Sequence, residues 1–251
     1  MKGLALISGG TSGIGLATAR RLASDYRVAL LYARDRERAA AVESSFGADA
    51  DVKTFRLDVS SDASVAAGYA EMVAHFGDSP AVLINAAGVA RFQRFFVQSR
   101  SLELAQEMMN INYFGSLRLI EKVLPPMYAR RRGCIVNLSS ASGLGGNLGV
   151  IGYAESKAAI RCLTQNLAME VGHRGVAINC VSPGRVDTPM TGEFLAQFEK
   201  ASINAPLGRP VEADEVARLI EFLVGIGPAI NGQNLRIDGG TSLARMQPQQ
   251  R

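Results

Sequence analysis

The sequence predicts one α/β domain built on a doubly wound parallel sheet of seven strands, with helices on both faces. Short apolar segments alternate with amphipathic stretches along the chain, which is typical of parallel strands joined by helical crossovers. Several apolar segments are continuous runs, as expected when helices cover both faces of a sheet. A length of 251 residues fits a single domain of this class.

The elements follow from the apolar periodicity. The predicted strands are 3–8, 27–32, 52–57, 81–85, 134–139, 177–181 and 234–237. The predicted helices lie near 13–24, 36–45, 62–75, 101–130, 153–172 and 212–224. Ligands of such sheets bind beyond the carboxyl ends of the strands, so polar and glycine residues that follow strands are the candidate site residues.

We expect the domain to span residues 1–244. The stretch 183–209 is rich in Gly, Pro and Thr and is too long for a simple connection, so we expect a substrate lid at about 188–209. The polar segment 245–251 is expected to be a flexible tail.

Composition excludes several classes of protein. Apolar residues make up 47% and charged residues 20% of the chain, as in ordinary globular proteins. No apolar run approaches the length of a membrane span, and the first apolar stretch is too short for a signal-peptide core. We therefore expect a cytoplasmic protein that does not bind membranes.

Charge, cysteine content and histidine spacing exclude three further kinds of protein. The net charge is +4, but the basic residues are dispersed apart from the run 130–132, so an enzyme that handles phosphorylated ligands is favoured over a nucleic-acid-binding protein. Three cysteines in apolar segments indicate no disulfide framework. The two histidines are not spaced with other ligands, so no metal site is expected.

A glycine-rich segment joins the first predicted strand to the first helix. Glycines there allow the backbone to approach a pyrophosphate held at the helix N-terminus, although an ordinary glycine turn would look similar. Its position between a strand and a helix favours dinucleotide binding. The candidate contacts are Gly9, Thr11, Ser12, Gly13, Ile14 and Gly15.

The end of the second predicted strand bears on the choice between NAD and NADP. A carboxylate at this point would accept a hydrogen bond from the ribose 2′-hydroxyl, but Tyr32 stands there, followed by Arg34 and Arg36. A guanidinium at Arg34 suits a 2′-phosphate. These arginines can equally be solvated charges at a helix start, so the sequence favours NADP(H) over NAD(H) without deciding between them.

Two further segments close the third and fourth predicted strands. The sequence Leu-Asp-Val places Asp58 and Val59 at the carboxyl edge, and Asn-Ala-Ala-Gly places Asn85, Ala87 and Gly88 beside them. An Asp or Asn after a strand is often only a turn or cap residue. Their shared location predicts that they contact an adenine and a ribose.

The strongest signal combines a strand end with a helix start. Ser140 follows the fifth predicted strand, and Tyr153 and Lys157 begin the next helix. Residues four apart share one helix face, and an ammonium beside a phenol is expected to lower the phenol pKa. Tyr153 is thus predicted to act as a general acid or base.

These motifs together resemble the short-chain dehydrogenase/reductase family, closest in pattern to 3-oxoacyl-acyl-carrier-protein reductases, from Lys2 to about Thr241. The resemblance implies a Rossmann-like sheet with strand order 3-2-1-4-5-6-7, hydride transfer to or from nicotinamide, and a homotetramer or homodimer formed through helices 101–130 and 153–172. Ser8 stands in place of the usual Thr, and Ala86 in place of a second Asn. Neither departure threatens catalysis.

The resemblance also assigns roles. Ser140 would bind the substrate oxygen, Tyr153 would donate the proton, and Lys157 would bind the nicotinamide ribose. Asn112 matches the asparagine that orders a water near the lysine; without the resemblance it would be a helix-interior Asn bonded to nearby backbone. The segment from Pro183 would contact the carboxamide and phosphate through Pro183, Gly184, Val186 and Thr188.

Two arginines match positions that face a carrier protein in the acyl-carrier-protein reductases. Arg131 and Arg174 would lie beside the site entrance and steer an acidic partner. Surface arginines before a strand are usually only solvated charges, so a carrier protein is one interpretation of this pair.

The leading hypothesis is NADP(H)-dependent reduction of a ketone, either a β-keto acyl thioester or a related carbonyl. One alternative is an NAD-dependent alcohol, polyol or steroid dehydrogenase of the same family, because the same Tyr153 serves both directions. Another is a non-catalytic dinucleotide-binding protein, which an intact Ser-Tyr-Lys set speaks against.

Overall fold

The computed structural model describes residues 2–91, 101–145, 149–190 and 206–244. Seven strands form one parallel sheet in the order β3-β2-β1-β4-β5-β6-β7, which confirms the expected fold and strand order. The strands are β1 Gly3–Ser8, β2 Tyr26–Tyr32, β3 Val52–Arg56, β4 Val82–Asn85, β5 Gly133–Leu138, β6 Val176–Pro183 and β7 Asn234–Ile237.

Helices connect the strands and cover both faces of the sheet. They are α1 Gly13–Leu22, α2 Arg36–Ser44, α3 Asp62–Phe76, α4 Ser101–Met108, α5 Gly115–Arg130, α6 Tyr153–Val171, α7 Ala213–Ile226 and α8 Thr241–Ala244. The helical stretch predicted over 101–130 is confirmed, but a π-helix, Met109–Phe114, separates α4 from α5 within it. Apolar periodicity does not reveal such a local widening, and π-turns often mark functional sites.

Two apolar cores lie on opposite faces of the sheet. Helices α3, α5 and α6 bury side chains such as Met72, Leu119 and Val171 against one face. Helices α1, α2 and α7 bury side chains such as Leu22 and Ile220 against the other. Burial on both faces explains why the strands are continuous apolar runs.

The strand register aligns the strand ends at one edge. Ser8 pairs with Asn85, and Asn85 pairs with Asn137. The segments that follow β1, β4, β5 and β6 therefore emerge side by side at the carboxyl edge of the sheet. That edge is where the candidate site residues converge.

Residues 191–205 of the predicted lid and the predicted tail 245–251 lie outside the described residues. Within the described part of the predicted lid, the Leu207 amide donates to the Gly239 carbonyl at 3.1 Å. Within the described ranges, no helix is both long and apolar enough to cross a bilayer. The same ranges hold no group of three His, Cys, Asp or Glu side chains arranged as metal ligands, and Cys134, Cys162 and Cys180 are free thiols.

Candidate active site

A continuous cleft crosses the carboxyl edge of the sheet. It consists of two adjoining hollows that share Gly9, Ser12, Ala87 and Gly88. The first hollow, here the inner end, is lined by residues that include Gly13, Ile14, Gly15, Ser140, Tyr153, Lys157, Pro183, Gly184, Val186 and Thr188. The second, here the outer end, is lined by residues that include Thr11, Arg34, Asp58 and Val59. The fold thus brings nearly all predicted site residues to one cleft.

The glycine loop packs closely against the start of α1, with no room for a side chain between them. A Cβ at Gly15 would lie 2.3 Å from the Gly9 carbonyl oxygen, and Gly9 itself has a φ of +63° beside the Ala87 backbone. Ser12 is the N-cap of α1 and makes no side-chain capping bond, and the first turn carries no acidic residue. This backbone geometry fits an anionic group such as a pyrophosphate at the helix N-terminus.

The Ser8 hydroxyl holds the segment after β4 in place. It accepts hydrogen bonds from the amides of Ala86 and Ala87, each at 3.1 Å. The sequence suggested only that a hydroxyl was retained at this position. The structure shows that the hydroxyl fixes one wall of the cleft.

Asn85 does not line the cleft, although we predicted that it contacts a ligand. Its side-chain amide donates to the Asn137 side chain at 2.8 Å, and Asn137 in turn donates to the Thr164 hydroxyl at 3.0 Å. All three side chains are buried. Asn85 therefore stabilises the end of β4 through buried hydrogen bonds, because its side chain points to the face of the sheet covered by α6.

Ser140, Tyr153 and Lys157 meet at the inner end of the cleft. Ser140 lies just beyond β5 and lines the same hollow as Tyr153, the first residue of α6. Lys157 follows one helical turn later, with its Nζ 5.8 Å from the centre of the Tyr153 ring. That ammonium donates to the Leu138 carbonyl at 2.8 Å. The predicted Ser-Tyr-Lys arrangement is therefore assembled in one place.

The pKa of Tyr153 moves opposite to our expectation. Burial raises it, and the hydrogen bond from Ser140 opposes that rise only in part. Lys157 is only 5% exposed, and burial lowers its own pKa from 10.5 to about 8. The spacing of the two residues could not show that packing around both reduces their hydration, and desolvation penalises the charged form of each.

Asn112 is buried in the π-helix and clamps the chain beyond β4. Its Oδ1 accepts from the Val89 amide at 2.8 Å, and its Nδ2 donates to the Val89 carbonyl and to the Ser156 hydroxyl, both at 3.0 Å. A Cβ at Gly88 would lie 3.1 Å from this Oδ1 and 3.5 Å from the Lys157 Nζ. Asn112 therefore neighbours Lys157, with its side chain engaged by backbone and Ser156.

Cationic groups border the outer end of the cleft. Arg34 and Arg38 line it, whereas Arg36 does not. Asp35 also lines this end, but it pairs with Arg38 at 3.2 Å. Arg38 lies one turn beyond Arg34 on the start of α2, and this spacing was the signal that sequence reasoning missed.

Asp58 lines the same outer end of the cleft as Arg34 and lies in a local turn after β3. Its Oδ1 accepts from the amide and the hydroxyl of Ser60, at 2.9 and 2.6 Å. These bonds, helped by Arg34 and Arg118, lower the pKa of Asp58. An ionised carboxylate thus faces the outer end of the cleft.

The segment after β6 closes the inner end. The Gly184 amide donates to the Ile237 carbonyl at 3.0 Å, and Val186 forms a bridge with Val211. The Thr188 methyl group approaches Gly13, where a Cβ would lie 3.1 Å away. The glycine loop and this segment therefore face each other across the cleft.

Arg131 and Arg174 do not lie beside the cleft of their own chain. They precede β5 and β6, so they lie at the amino edge of the sheet, whereas the cleft lies at the carboxyl edge. Six-residue β5 separates the two edges by about 20 Å. The expectation of a position beside the entrance was wrong, because in a parallel sheet every residue before a strand lies opposite the ligand edge.

The fold and the cleft define an α/β oxidoreductase, and comparisons with known proteins agree. A family model described as enoyl-(acyl carrier protein) reductase matches residues 9–242. The chain is 35% identical over 240 residues to 3-oxoacyl-[acyl-carrier-protein] reductase FabG of Pseudomonas aeruginosa, covering 94% of this chain and 96% of that relative. It is 33% identical over 244 residues to carbonyl reductase family member 4 of Xenopus laevis, covering 97% and 99% of the two chains.

Among solved structures, a variant of actinorhodin polyketide ketoreductase with NADPH superposes with a TM-score of 0.89 at 30% identity, covering 96% of this chain and 97% of that one. The chain belongs to the short-chain dehydrogenase/reductase family, which confirms the resemblance drawn from the motifs.

Proposed function

We propose that the protein reduces a ketone to a secondary alcohol with NADPH, the ketone being a β-keto acyl thioester or a related carbonyl. The observation that carries this proposal is that Ser140, Tyr153 and Lys157 meet at the inner end of the cleft, where the Lys157 Nζ lies 5.8 Å from the centre of the Tyr153 ring. The glycine loop and the start of α1 lie in the same hollow, so a nicotinamide dinucleotide bound there would extend towards Tyr153.

The residues divide the work of ketone reduction. Ser140 binds the substrate oxygen, and Tyr153 donates its proton to that oxygen. Burial raises the pKa of Tyr153, which keeps the phenol protonated near neutral pH, as a general acid requires. Lys157 holds the ribose, and Asn112 keeps the wall beside Lys157 in position. The bound dinucleotide supplies the hydride that adds to the carbonyl carbon.

NADP(H) is favoured over NAD(H) by charges at the outer end. Arg34 lines the cleft and forms no ion pair with any residue in the described ranges, so its guanidinium is available to a 2′-phosphate. Of the carboxylates at this end of the cleft, Asp35 is paired with Arg38, and Asp58 is hydrogen-bonded by Ser60. The actinorhodin ketoreductase structure, a relative at 30% identity, carries NADPH.

An acyl carrier protein is the partner that the amino-edge arginines would attract. Arg131, Arg132 and Arg174 pair with no carboxylate of the described chain, and the Arg174 guanidinium lies 4.3 Å over the Tyr128 ring. Arg131 has a φ of +55°, and no other non-glycine residue in the described ranges has a positive φ. This left-handed residue is the C-cap that ends α5, which fixes the place of Arg131 at the amino edge. The relative from P. aeruginosa is named for acyl-carrier-protein substrates.

A homotetramer or homodimer would cover the apolar side chains on α4 to α6. Leu102 on α4 is 71% exposed and Met169 on α6 is 86% exposed, so burial of these side chains between copies would stabilise an oligomer. We further propose one catalytic domain over 1–244, a lid at about 188–209 and a cytoplasmic location.

The test is steady-state kinetics with NADPH and NADH against β-keto acyl thioesters and simple ketones, followed by nicotinamide absorbance. We expect turnover with NADPH, and we expect Tyr153→Phe to abolish it while NADPH affinity stays within about threefold, because only the proton donor is removed. A strong preference for NAD with alcohols would support the dehydrogenase alternative. Tight NADPH binding without turnover on any ketone would support a non-catalytic dinucleotide-binding protein.

A further inference from the structure

Arg118, in the first turn of α5, connects two parts of the cleft wall. Its Nε pairs with Asp62 at the start of α3, and its NH1 donates to the carbonyls of Val59, at 3.2 Å, and Asn110, at 3.3 Å. The same NH1 also contacts the Asn110 Oδ1 at 3.0 Å. One guanidinium therefore joins the loop after β3, the start of α3 and the π-helix.

The first part of the wall belongs to the outer end. Asp58 and Val59 line that end, as does Ser60, which bonds the Asp58 carboxylate. The Asn110 side-chain amide donates to the Ser60 carbonyl at 3.4 Å. Arg118 thus fixes the loop directly through Val59 and indirectly through Asn110.

The second part belongs to the inner end. Asn112 lies two residues beyond Asn110 in the same π-helix and bonds Val89 and Ser156. Ser156 immediately precedes Lys157 on α6. A shift of the π-helix would therefore move the supports of Lys157 as well as the loop that carries Asp58.

Close packing leaves little room for the two parts to move separately. A Cβ at Gly115, the first residue of α5, would lie 2.7 Å from the Val59 Cγ2. The Arg118 side chain is 21% exposed, whereas the side chain of its partner Asp62 is 85% exposed. The contacts of Arg118 with the Val59 and Asn110 carbonyls are therefore the protected ones, and the ion pair contributes little.

We infer that Arg118 is a positioning residue that couples dinucleotide binding at the outer end to the placement of Lys157 at the inner end. The inference rests on the proposed function for the identity of the ligand. A planar guanidinium can serve several acceptors at once, whereas a lysine ammonium is a single point charge. Arg118→Lys should therefore restore only part of what Arg118→Gln removes.

The test compares Arg118→Gln and Arg118→Lys with two matched controls. Arg21 has a similar exposure, 24%, and bonds two carboxylates, but it joins α1 to α7, away from the cleft. Arg21→Gln should therefore lower the free energy of unfolding and leave kinetics unchanged. Asp62→Asn should leave both unchanged, since it removes only the exposed ion pair. The readouts are kcat, KM for NADPH, and affinity for adenosine 2′,5′-bisphosphate, a fragment that occupies only the outer end.

We expect Arg118→Gln to weaken bisphosphate binding and to lower kcat, each by about tenfold, with Arg118→Lys intermediate. Bisphosphate should also slow hydrogen exchange of the π-helix amides in the wild-type protein and not in Arg118→Gln. If Arg118→Gln loses stability like Arg21→Gln while binding, kcat and exchange stay unchanged, Arg118 is only structural and the inference is overturned.

Two other results separate this inference from the proposed function. A fall in kcat without weaker bisphosphate binding or altered exchange overturns the coupling while the reductase function stands. If the wild-type protein turns over no ketone, the proposed function fails, and the bisphosphate and exchange measurements still decide whether Arg118 couples the two ends. Should Arg118→Gln fail to fold, Arg118→Lys takes its place, with unchanged binding and exchange as the contradicting result.

Discussion

Lys157 places a positive charge where water is nearly absent. Its ammonium is buried and donates to the Leu138 carbonyl, and burial lowers its pKa from 10.5 to about 8. Desolvation lowers this pKa more than the nearby Cys180 thiol raises it. Among the described residues, no carboxylate pairs with the buried ammonium to offset that cost. The buried ammonium of Lys157 therefore lowers the free energy of unfolding, and it places a hydrogen-bond donor where a polar ligand would bind.

A pH dependence of stability follows. Below pH 8 the amine is charged in both the folded and the unfolded chain, so the full cost of burying the charge is present. Between pH 8 and 10.5 only the unfolded chain keeps the proton, so this residue raises the free energy of unfolding through that window by up to about 3 kcal/mol.

Urea unfolding of the wild-type protein and of Lys157→Met at both ends of this window isolates the effect, because Tyr153 and the cysteines titrate in both proteins. Equal changes in the two proteins would show that Lys157 is not the cause.

Arg34 carries the choice of dinucleotide. Removal of its guanidinium takes away a charge-assisted hydrogen bond to a 2′-phosphate, so Arg34→Ala should weaken NADPH binding by about tenfold and NADH binding far less. Arg36→Ala is the matched control, since Arg36 lies nearby but does not line the cleft. Binding titrations with both dinucleotides check this. Equal losses for NADPH and NADH would remove Arg34 from phosphate recognition.

At the scale of elements, the contact between the glycine loop and α1 decides whether a pyrophosphate can be bound. Gly15→Ala would place a methyl group 2.3 Å from the Gly9 carbonyl oxygen, so the helix start must shift. We expect a loss of about 1–3 kcal/mol in stability and at least about tenfold weaker NADPH binding.

Gly47→Ala is the control for this substitution, because no atom lies within 4 Å of the added methyl group. It should leave both stability and NADPH affinity near the wild-type values. Thermal unfolding and NADPH titration of the two variants make the comparison. An unaffected Gly15→Ala would mean that the loop adapts without cost.

The π-helix is the element whose role the sequence concealed. Its segment, Met109–Phe114, holds mainly weak helix formers, and Asn110 and Asn112 both bond partners outside the helix, at Ser60 and Val89. These partners come from chain segments distant in sequence. Helix propensity and periodicity describe only neighbours along the chain, so they could not predict this widening.

Across the whole molecule, the parallel sheet separates the cleft from the arginines proposed to bind a carrier protein. The cleft occupies the carboxyl edge, and Arg131 and Arg174 occupy the amino edge. A carrier protein held by these arginines would therefore dock away from the cleft of the same chain. An assembly of several copies could bring one amino edge near the cleft of another.

Reversal of both charges tests the docking surface. Arg131→Glu with Arg174→Glu should raise KM for a carrier-linked ketone by about tenfold and leave KM for a small free thioester unchanged, because only the carrier is acidic. Added salt should reduce the difference. Arg20→Glu on α1 is the control. Equal effects on both substrates would indicate damage to the cleft instead of lost docking.

The parallel sheet and most of the candidate site residues that line the cleft were predictable from the residues themselves. Apolar runs report burial on both faces, and the spacing of Tyr153 and Lys157 reports a shared helix face; both signals are local. The resemblance to the family then ordered the strands and placed Ser140 beside Tyr153, as the structure confirms.

The remaining features depended on which distant segments the fold brings together and on where water is excluded. Only the tertiary structure showed that Asn85 faces Asn137, that Arg118 spans two walls of the cleft, and that Arg131 lies at the far edge of the sheet. It also decided the direction of the Tyr153 pKa shift, because desolvation depends on every atom packed around the phenol and not on the residue four positions away.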